Sequence, residues 1–361
     1  MRFGMHLNYT TGPRRAKEIG CKSLQIFCGN PRGWLKKPLD PEFVRQFRNE
    51  VERAEISPVV VHASYLINLA SPDQKVFSLS SDGLVSELER SALLGARFYV
   101  IHSGSHRLAG PVEGRRRVAA CLQHALKKVP HAPEILIENT AGGASSLGTT
   151  FEELAALFDE SKIERLGLCL DTCHLLAAGY DIRTPNGVKN TLDALDGSVG
   201  LQRLRCLHVN DSKGALGSNL DRHEHIGAGC IGTPGFKAFF SDPRLWNLPA
   251  ILETPQDNPN DDVDNLWRAL DIALQAGAVN AADIGQKPVL PVALIEPVCE
   301  RSSAELAGVK IKPVRKAKKK PAKKSPPASA SAAKPARRSI APVSSGRSAA
   351  RAKARPKQRK K

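Results

Sequence analysis

The stretch LCLDTCHLLAAGYD, residues 168–181, opens as a short apolar run and then presents an acid and an imidazole three residues apart. Leu168 to Leu170 has the character of a strand buried in a parallel sheet, and the polar residues begin where such a strand reaches its carboxyl edge. Enzymes built on α/β barrels keep their chemistry at that edge. Because strand side chains alternate with period two, Asp171 and His174 can be aimed together only if the chain turns out of the strand between them. Two readings follow. Either Asp171 caps a helix that starts there while His174 packs beneath it, or one turn feeds two neighbouring metal sites.

The same pattern recurs in both directions along the chain. Strand-like runs at 2–7, 23–27, 58–62, 98–102, 134–138, 168–171, 204–209 and 250–253 are separated by segments with helical periodicity, among them 82–94, 112–128 and 151–158. Regular alternation predicts a parallel sheet with right-handed crossovers, and eight such runs predict a single α/β domain, a closed (β/α)8 TIM barrel over residues 1–280. In a barrel the carboxyl ends of all strands converge on one mouth. His62, His102, Glu138, Asp171, His208 and Glu253 each stand at or beside such an end. A single His or Glu there is usually a satisfied polar residue, but six in succession on one edge need another explanation. After the seventh run, Asp221 and His223 lie two apart, which puts both on one side of an extended segment as a workable chelating pair.

Charge divides the chain. Of the formal +17, residues 310–361 supply 20 Lys or Arg and no acid, so the first 309 residues carry 33 basic against 36 acidic side chains. The Lys/Arg/Ala/Pro-rich segment 310–361 cannot bury enough apolar surface to fold and is expected to be a disordered tail. Its basicity fits a sequence-independent arm for DNA, with nuclear import or simple solubilisation as the other uses. Residues 281–309, containing PVLPVALIEP at 288–297, read as a connector. No run approaches the ~18 apolar residues of a membrane span, and the N-terminus lacks a secretory apolar core. The eight cysteines form no C-x-x-C pair and read as reduced core thiols, Cys169 and Cys173 included. A non-exported monomer is expected, cytoplasmic at the nucleoid or, in a eukaryote, nuclear.

Five imidazoles (His62, His102, His174, His208, His223) and four carboxylates (Glu138, Asp171, Asp221, Glu253) make up the candidate site. Mixed nitrogen and oxygen donors suit Zn2+, with Mn2+ or Fe2+ second, better than the oxygen shell that Mg2+ prefers. Nine donors exceed the needs of one ion. Three divalent ions would outweigh the four carboxylates and leave a cationic pocket, suited to activating water and stabilising both oxygens of an in-line phosphodiester displacement. Phosphate-ester hydrolysis is the reaction class this predicts.

The motifs HASYLINLA at 62–70, IHSGSH at 101–106, IENTAG at 137–142, LDTCHLLAAGYD at 170–181, LHVNDSK at 207–213, DRHEHIGAGCIG at 221–232 and ILETP at 251–255 together resemble the endonuclease IV family of apurinic/apyrimidinic endonucleases. The resemblance runs from about residue 1 to 276. It implies a (β/α)8 barrel with three zinc ions that hydrolyses the phosphodiester 5′ of an abasic site in duplex DNA, leaving a 3′-hydroxyl, and often trims blocked 3′ ends. By that resemblance His62 and His102 hold one zinc, and Glu138 bridges to a second held also by Asp171, His208 and Glu253. His174, Asp221 and His223 hold the third. A hydroxide bridging the first pair is the implied nucleophile and the third ion neutralises the departing oxygen, so Glu138, Glu253 and His174 bear most directly on catalysis. The loop Asn30-Pro31-Arg32-Gly33-Trp34 looks like the family loop that enters the minor groove. Tyr65 with Leu66 looks like the wedge that fills the gap at a flipped-out sugar, and Arg222, between two ligands, is placed to meet a phosphate. The chain departs from the family pattern at Asn8, Thr11, Gly33, Ser103 and Gly143, none of them a proposed ligand. Two other readings compete. A metal-dependent sugar isomerase or epimerase on a related barrel leaves His174, Asp221 and His223 without a task, and a catalytically dead barrel with a DNA-binding tail predicts binding without cleavage.

Overall fold

Along the chain, β1 (Arg2–Leu7), α1 (Gly12–Ile19), β2 (Ser23–Phe27), α2 (Pro41–Arg53), β3 (Val59–His62), α3 (Gln74–Leu93), β4 (Phe98–His102) and α4 (Pro111–Lys128) alternate as the periodicity predicts. Next come β5 (Glu134–Glu138), α5 (Phe151–Ser161), β6 (Leu166–Asp171), α6 (Thr172–Ala178), α7 (Pro185–Ser198) and β7 (Leu204–His208). A small antiparallel pair, β8 (Asp211–Ser212) and β9 (His223–Glu224), precedes α8 (Gly232–Phe240), β10 (Pro249–Leu252) and α9 (Asp261–Gln275). These elements belong to residues 1–34, 37–143 and 145–284, the described part of a computed structural model. The connector beyond residue 284 and the tail at 310–361 lie outside the described residues.

Strands β1, β10, β7, β6, β5, β4, β3 and β2 are neighbours in that order, all parallel, and close into a barrel. Alternation decides which side chains enter it. Val60, Phe98, Val100, Leu136, Cys169, Cys206 and Ile251 form an apolar layer within the barrel. Two residues further along the chain, and therefore on the same side, stand His62, His102, Glu138, Asp171 and His208 at the strand ends and Glu253 just past one. The opposite parity, including Val61, Ile101, Ile137, Leu168 and Leu170, packs outward in the larger core under the helices.

Between β6 and β7 the register slips by one residue. Leu168 is level with Leu204, but Cys169 is level with Cys206 and Asp171 with His208. Without the slip Asp171 would stand beside Leu207, which packs in the outer core; the extra residue on β7 brings two polar side chains of the barrel interior to one height.

Element ends differ from the periodicity in identifiable ways. Helix α3 starts at Gln74 rather than at residue 82, because Asp73 caps it by accepting from the N–H of Val76 at 3.0 Å. Strand β3 starts at Val59, since Pro58 has no N–H to pair. Strand β10 stops at Leu252, so Glu253 lies just past its end; the Glu253 N–H donates to Asn210 Oδ1 at 2.7 Å instead of continuing the ladder. Six of the seven described cysteines are buried, and Cys230 is half-buried. No helix among the described residues is long and apolar enough to cross a membrane.

Candidate metal centre

Glu138, fully buried at the end of β5, is the hub of the site. Its Oε2 lies 3.1 Å from His62 Nε2 and 3.4 Å from His102 Nε2, and its Oε1 lies 2.9 Å from His208 Nδ1 and 3.4 Å from His174 Nδ1. Glu253 Oε2 is 3.3 Å from His208 Nδ1. On the far side His174 Nε2 is 3.2 Å from Asp221 Oδ1, while His223 Nε2 is 3.7 Å from that oxygen and 3.8 Å from Asp171 Oδ2. The fold thus brings all nine predicted donors together. Eight of them form overlapping groups whose ligand atoms lie within 4.8 Å of one another: His62, His102 and Glu138; Glu138, Asp171, His208 and Glu253; and Asp171, His174 and His223. Asp221 adjoins the last through His174 and His223.

Hydrogen-bond polarity tells which ring nitrogen is free. A carbonyl oxygen only accepts, so the Nδ1–H of His62 donates to Ala63 O (2.8 Å), that of His174 to Asn139 O (3.0 Å) and that of His223 to Glu253 O (3.0 Å). In each neutral ring Nε2 then carries the lone pair, and each Nε2 faces a carboxylate: Glu138 at His62, Asp221 at His174, and Asp171 and Asp221 at His223. The Nε2 atoms of His174 and His223 are buried without a hydrogen-bond partner. Unpartnered buried nitrogens turned toward carboxylates fit a metal ion and are otherwise costly.

Asp171 caps the helix that follows it, the first of the roles read from its sequence. Its Oδ1 accepts from the His174 N–H at 2.7 Å and caps α6, and its Oδ2 accepts from Asn210 Nδ2 at 2.7 Å while facing His223. The helix that starts there is the turn that brings Asp171 and His174 together, His174 Nδ1 lying 3.7 Å from Asp171 Oδ1. Burial alone would push the carboxyls of Glu138 and Glu253 up, but nearby imidazoles, His102 and His208 at the first and His208 at the second, outweigh it and hold both well below the usual carboxylate range. Burial would likewise push His174 and His208 down, yet facing carboxylates raise both well above the ordinary imidazole value. Protons and a divalent cation compete for these atoms, so metal affinity falls as pH falls.

Two thiol-containing groups also come near: Cys173 with Asp221 and His223, and Cys169 with Cys206 and His208. Burial pushes the Cys173 thiol up to about 12 and the Cys169 thiol well above its ordinary value, and Cys173 Sγ donates to Arg222 O at 3.7 Å. They serve as small packing residues, as their apolar neighbours in sequence predict.

The sequence reading missed the residues that hold the donors. Asn210 joins Asp171 to the Glu253 backbone, and Asn139 Oδ1 accepts from the Asp171 N–H at 2.7 Å. Gln25 touches both Glu253 and His208. Asp211 accepts from the N–H groups of Ser212, Gly227, Gly229, Ile231 and Gly232, which anchors the segment that follows His223. Burial pushes its carboxyl up to about 6 against the pull of those donors. One signal could have found Gln25: it is a buried amide in the mostly apolar run SLQIF.

The rim carries the four residues expected to meet DNA. Arg32, Tyr65 and Arg222 are exposed and Leu66 is half-buried. The Tyr65 N–H donates to Pro31 O at 3.2 Å, which ties the two loops together, and its ring packs edge-on to Phe27 with centroids 5.1 Å apart. Both loops are braced by α3: Glu87 accepts from the N–H (3.1 Å) and hydroxyl (2.6 Å) of Ser64, and Arg90 donates to Cys28 O (2.7 Å) and Lys37 O (2.5 Å). A cavity of about 370 Å³, walled by Tyr65, His102, Asp221 and Gln256 among others, opens over the donors. A larger one, about 750 Å³, lies beside Arg2, Lys22, Trp246 and Trp267 and holds none of the nine.

Comparison with known proteins agrees with this geometry. Residues 13–272 match the family described as xylose isomerase-like TIM barrel. The chain is 45% identical over 262 residues to Probable endonuclease 4 of Methanoculleus marisnigri, covering 72% of this chain and 93% of that protein. It is 46% identical over 261 residues to Probable endonuclease 4 of Chloroflexus aurantiacus, covering 71% and 92%. The crystal structure of endonuclease IV from Thermus thermophilus superposes with a TM-score of 0.68 at 39% identity, covering 76% of this chain and all of that one. A D-tagatose 3-epimerase-like protein, 20% identical with a TM-score of 0.60 over 76% of this chain and 99% of its own, shares the fold. At this level of identity, over nearly the whole length of its relatives, the chain belongs to the endonuclease IV family.

Proposed function

We propose that this chain is a zinc-dependent DNA-repair endonuclease that hydrolyses the phosphodiester 5′ of abasic sites in duplex DNA, leaving a 3′-hydroxyl and a 5′-deoxyribose phosphate, and that it also trims blocked 3′ ends. The observation that carries the reading is the convergence of nine donors, three of whose imidazoles are tied outward to backbone carbonyls. Three ions would be held by His62, His102 and Glu138, by Glu138, Asp171, His208 and Glu253, and by His174, Asp221 and His223. Such ions supply Lewis acidity and activation of water near neutral pH. The protein's own part is positional. Glu138 keeps two donor groups in register, the Asp171 cap fixes the third beside them, and His174 with Asp221 lines the side of the cavity where the departing oxygen would lie. Tyr65 and Leu66 fill the gap left in the base stack and Arg32 enters the minor groove, at a cost in unstacking that is least where a base is already missing.

An epimerase reading shares the barrel but employs only the donors at the ends of β5, β6, β7 and β10. The close approach of His174, Asp221 and His223 favours the nuclease. Metal-loaded full-length protein should nick a duplex carrying one abasic site on the 5′ side of the lesion; a strong zinc chelator should stop the reaction and added zinc restore it. Intact duplex after incubation with loaded protein would overturn the proposal.

The tail at 310–361 adds sequence-independent affinity for DNA, and the enzyme acts as a monomer in the compartment that holds the genome. Removing the tail should flatten the salt dependence of duplex binding, by about 0.9 in logarithmic slope for each phosphate it had neutralised, while cleavage persists. A truncated protein with the full-length salt slope would refute this role.

A further inference from the structure

We infer that Gln25, on a strand that supplies none of the nine donors, is a positioning residue that sets the free nitrogen of His208 and the orientation of Glu253; the inference rests on the metal centre proposed above. Gln25 is fully buried on β2. Its amide lies 2.6 Å from Glu253 Oε1 on one side and 2.8 Å from His208 Nε2 on the other. A carboxylate only accepts, so the amide NH2 must face Glu253. The amide oxygen then faces His208, and since that oxygen also only accepts, His208 Nε2 must bear the ring proton. In the neutral ring that a metal ion requires, the lone pair is then left on Nδ1, the atom that lies 2.9 Å from Glu138 Oε1 and 3.3 Å from Glu253 Oε2.

His208 differs here from His62, His174 and His223, whose outer nitrogens are tied to backbone carbonyls that no side-chain substitution removes. Its tautomer depends on one side chain. The same amide orients Glu253, which lies past the end of β10 and whose backbone N–H leaves the ladder for Asn210. Both partners belong to one donor group, so loss of the amide should loosen that group first. Outer hydrogen bonds to metal ligands are typically worth 10–100-fold in affinity.

The test uses DNA-free full-length protein and Zn2+ titrated against a chromophoric chelator. Gln25→Met removes the contacts to Glu253 and His208, and also the approach of the amide nitrogen to His6 Nδ1 (3.0 Å), at similar length, and Gln25→Asn keeps the amide but withdraws it from reach. Both should bind the more weakly held zinc about 10–100-fold less tightly, with the far-UV spectrum and the melting temperature of the metal-free protein unchanged. Ser23→Ala, on the same strand, should bind zinc as the wild type does. Abasic-site cleavage at limiting zinc should fall in kcat with KM unchanged and return with excess zinc. If Gln25→Met does not fold, Gln25→Asn decides the matter. Wild-type zinc affinity in the folded Gln25 variants, or an equal loss in Ser23→Ala, would overturn the inference. A wild-type protein that takes up no zinc would instead overturn the metal centre beneath it.

Discussion

Replacing Glu138 with Ala should lower turnover on an abasic duplex by about 10³-fold or more and strip zinc from the protein. Loss of a single stabilising group in an active site commonly costs about 10²–10³ in kcat, and this carboxylate is shared by two of the three donor groups. It is fully buried and faces nitrogens of His62, His102, His174 and His208 at 2.9 to 3.4 Å. Its removal leaves a buried knot of imidazoles with no central anion, and breaking a buried charged cluster from one side is strongly destabilising. Zinc content measured beside kcat separates the two effects: a variant that folds, retains the wild-type complement of zinc and cuts at the wild-type rate would show that Glu138 holds no metal.

His174→Ala should act differently. The expected loss is about 10²–10³-fold in turnover, with duplex affinity within a few fold of wild type and roughly one zinc fewer per chain. The physical reason is burial: His174 is only 2% exposed, beneath Asp221, so it offers DNA almost no surface. The Glu138 hub keeps its Oε2 approach to His62 and His102 without it. Binding should therefore survive on the rim residues Arg32, Tyr65 and Leu66 and on the tail, while the cavity wall nearest the departing oxygen is lost. Unchanged turnover, or DNA affinity falling in step with kcat, would refute the assignment of His174 to a third ion.

Much of this site could be read from the chain because a barrel strand has a period of two. Once Val60, Val100, Leu136, Cys169, Cys206 and Ile251 are taken as inward-facing, the residue two places on is inward-facing too, and in every case it is a His, Asp or Glu. The same rule would have exposed Gln25 had the buried amide in SLQIF been weighed alongside the ionisable residues. Helix starts were less legible: the cap at Asp73 lies ahead of a Ser-rich segment with weak apolar periodicity, so α3 begins earlier than its pattern.

Local periodicity and composition are enough to give the alternation of strand and helix, the closed barrel, the nine candidate donor side chains and a basic tail set apart from a nearly neutral body. How those side chains meet is a matter of long-range packing. The slipped register that levels Asp171 with His208, the carbonyls that turn three imidazoles inward, the amide of Gln25 that turns a fourth, and the five N–H groups gathered on Asp211 all depend on which segments the closed barrel sets side by side. Pairings of that kind are set by which neighbour comes within hydrogen-bond reach, and no local pattern encodes it.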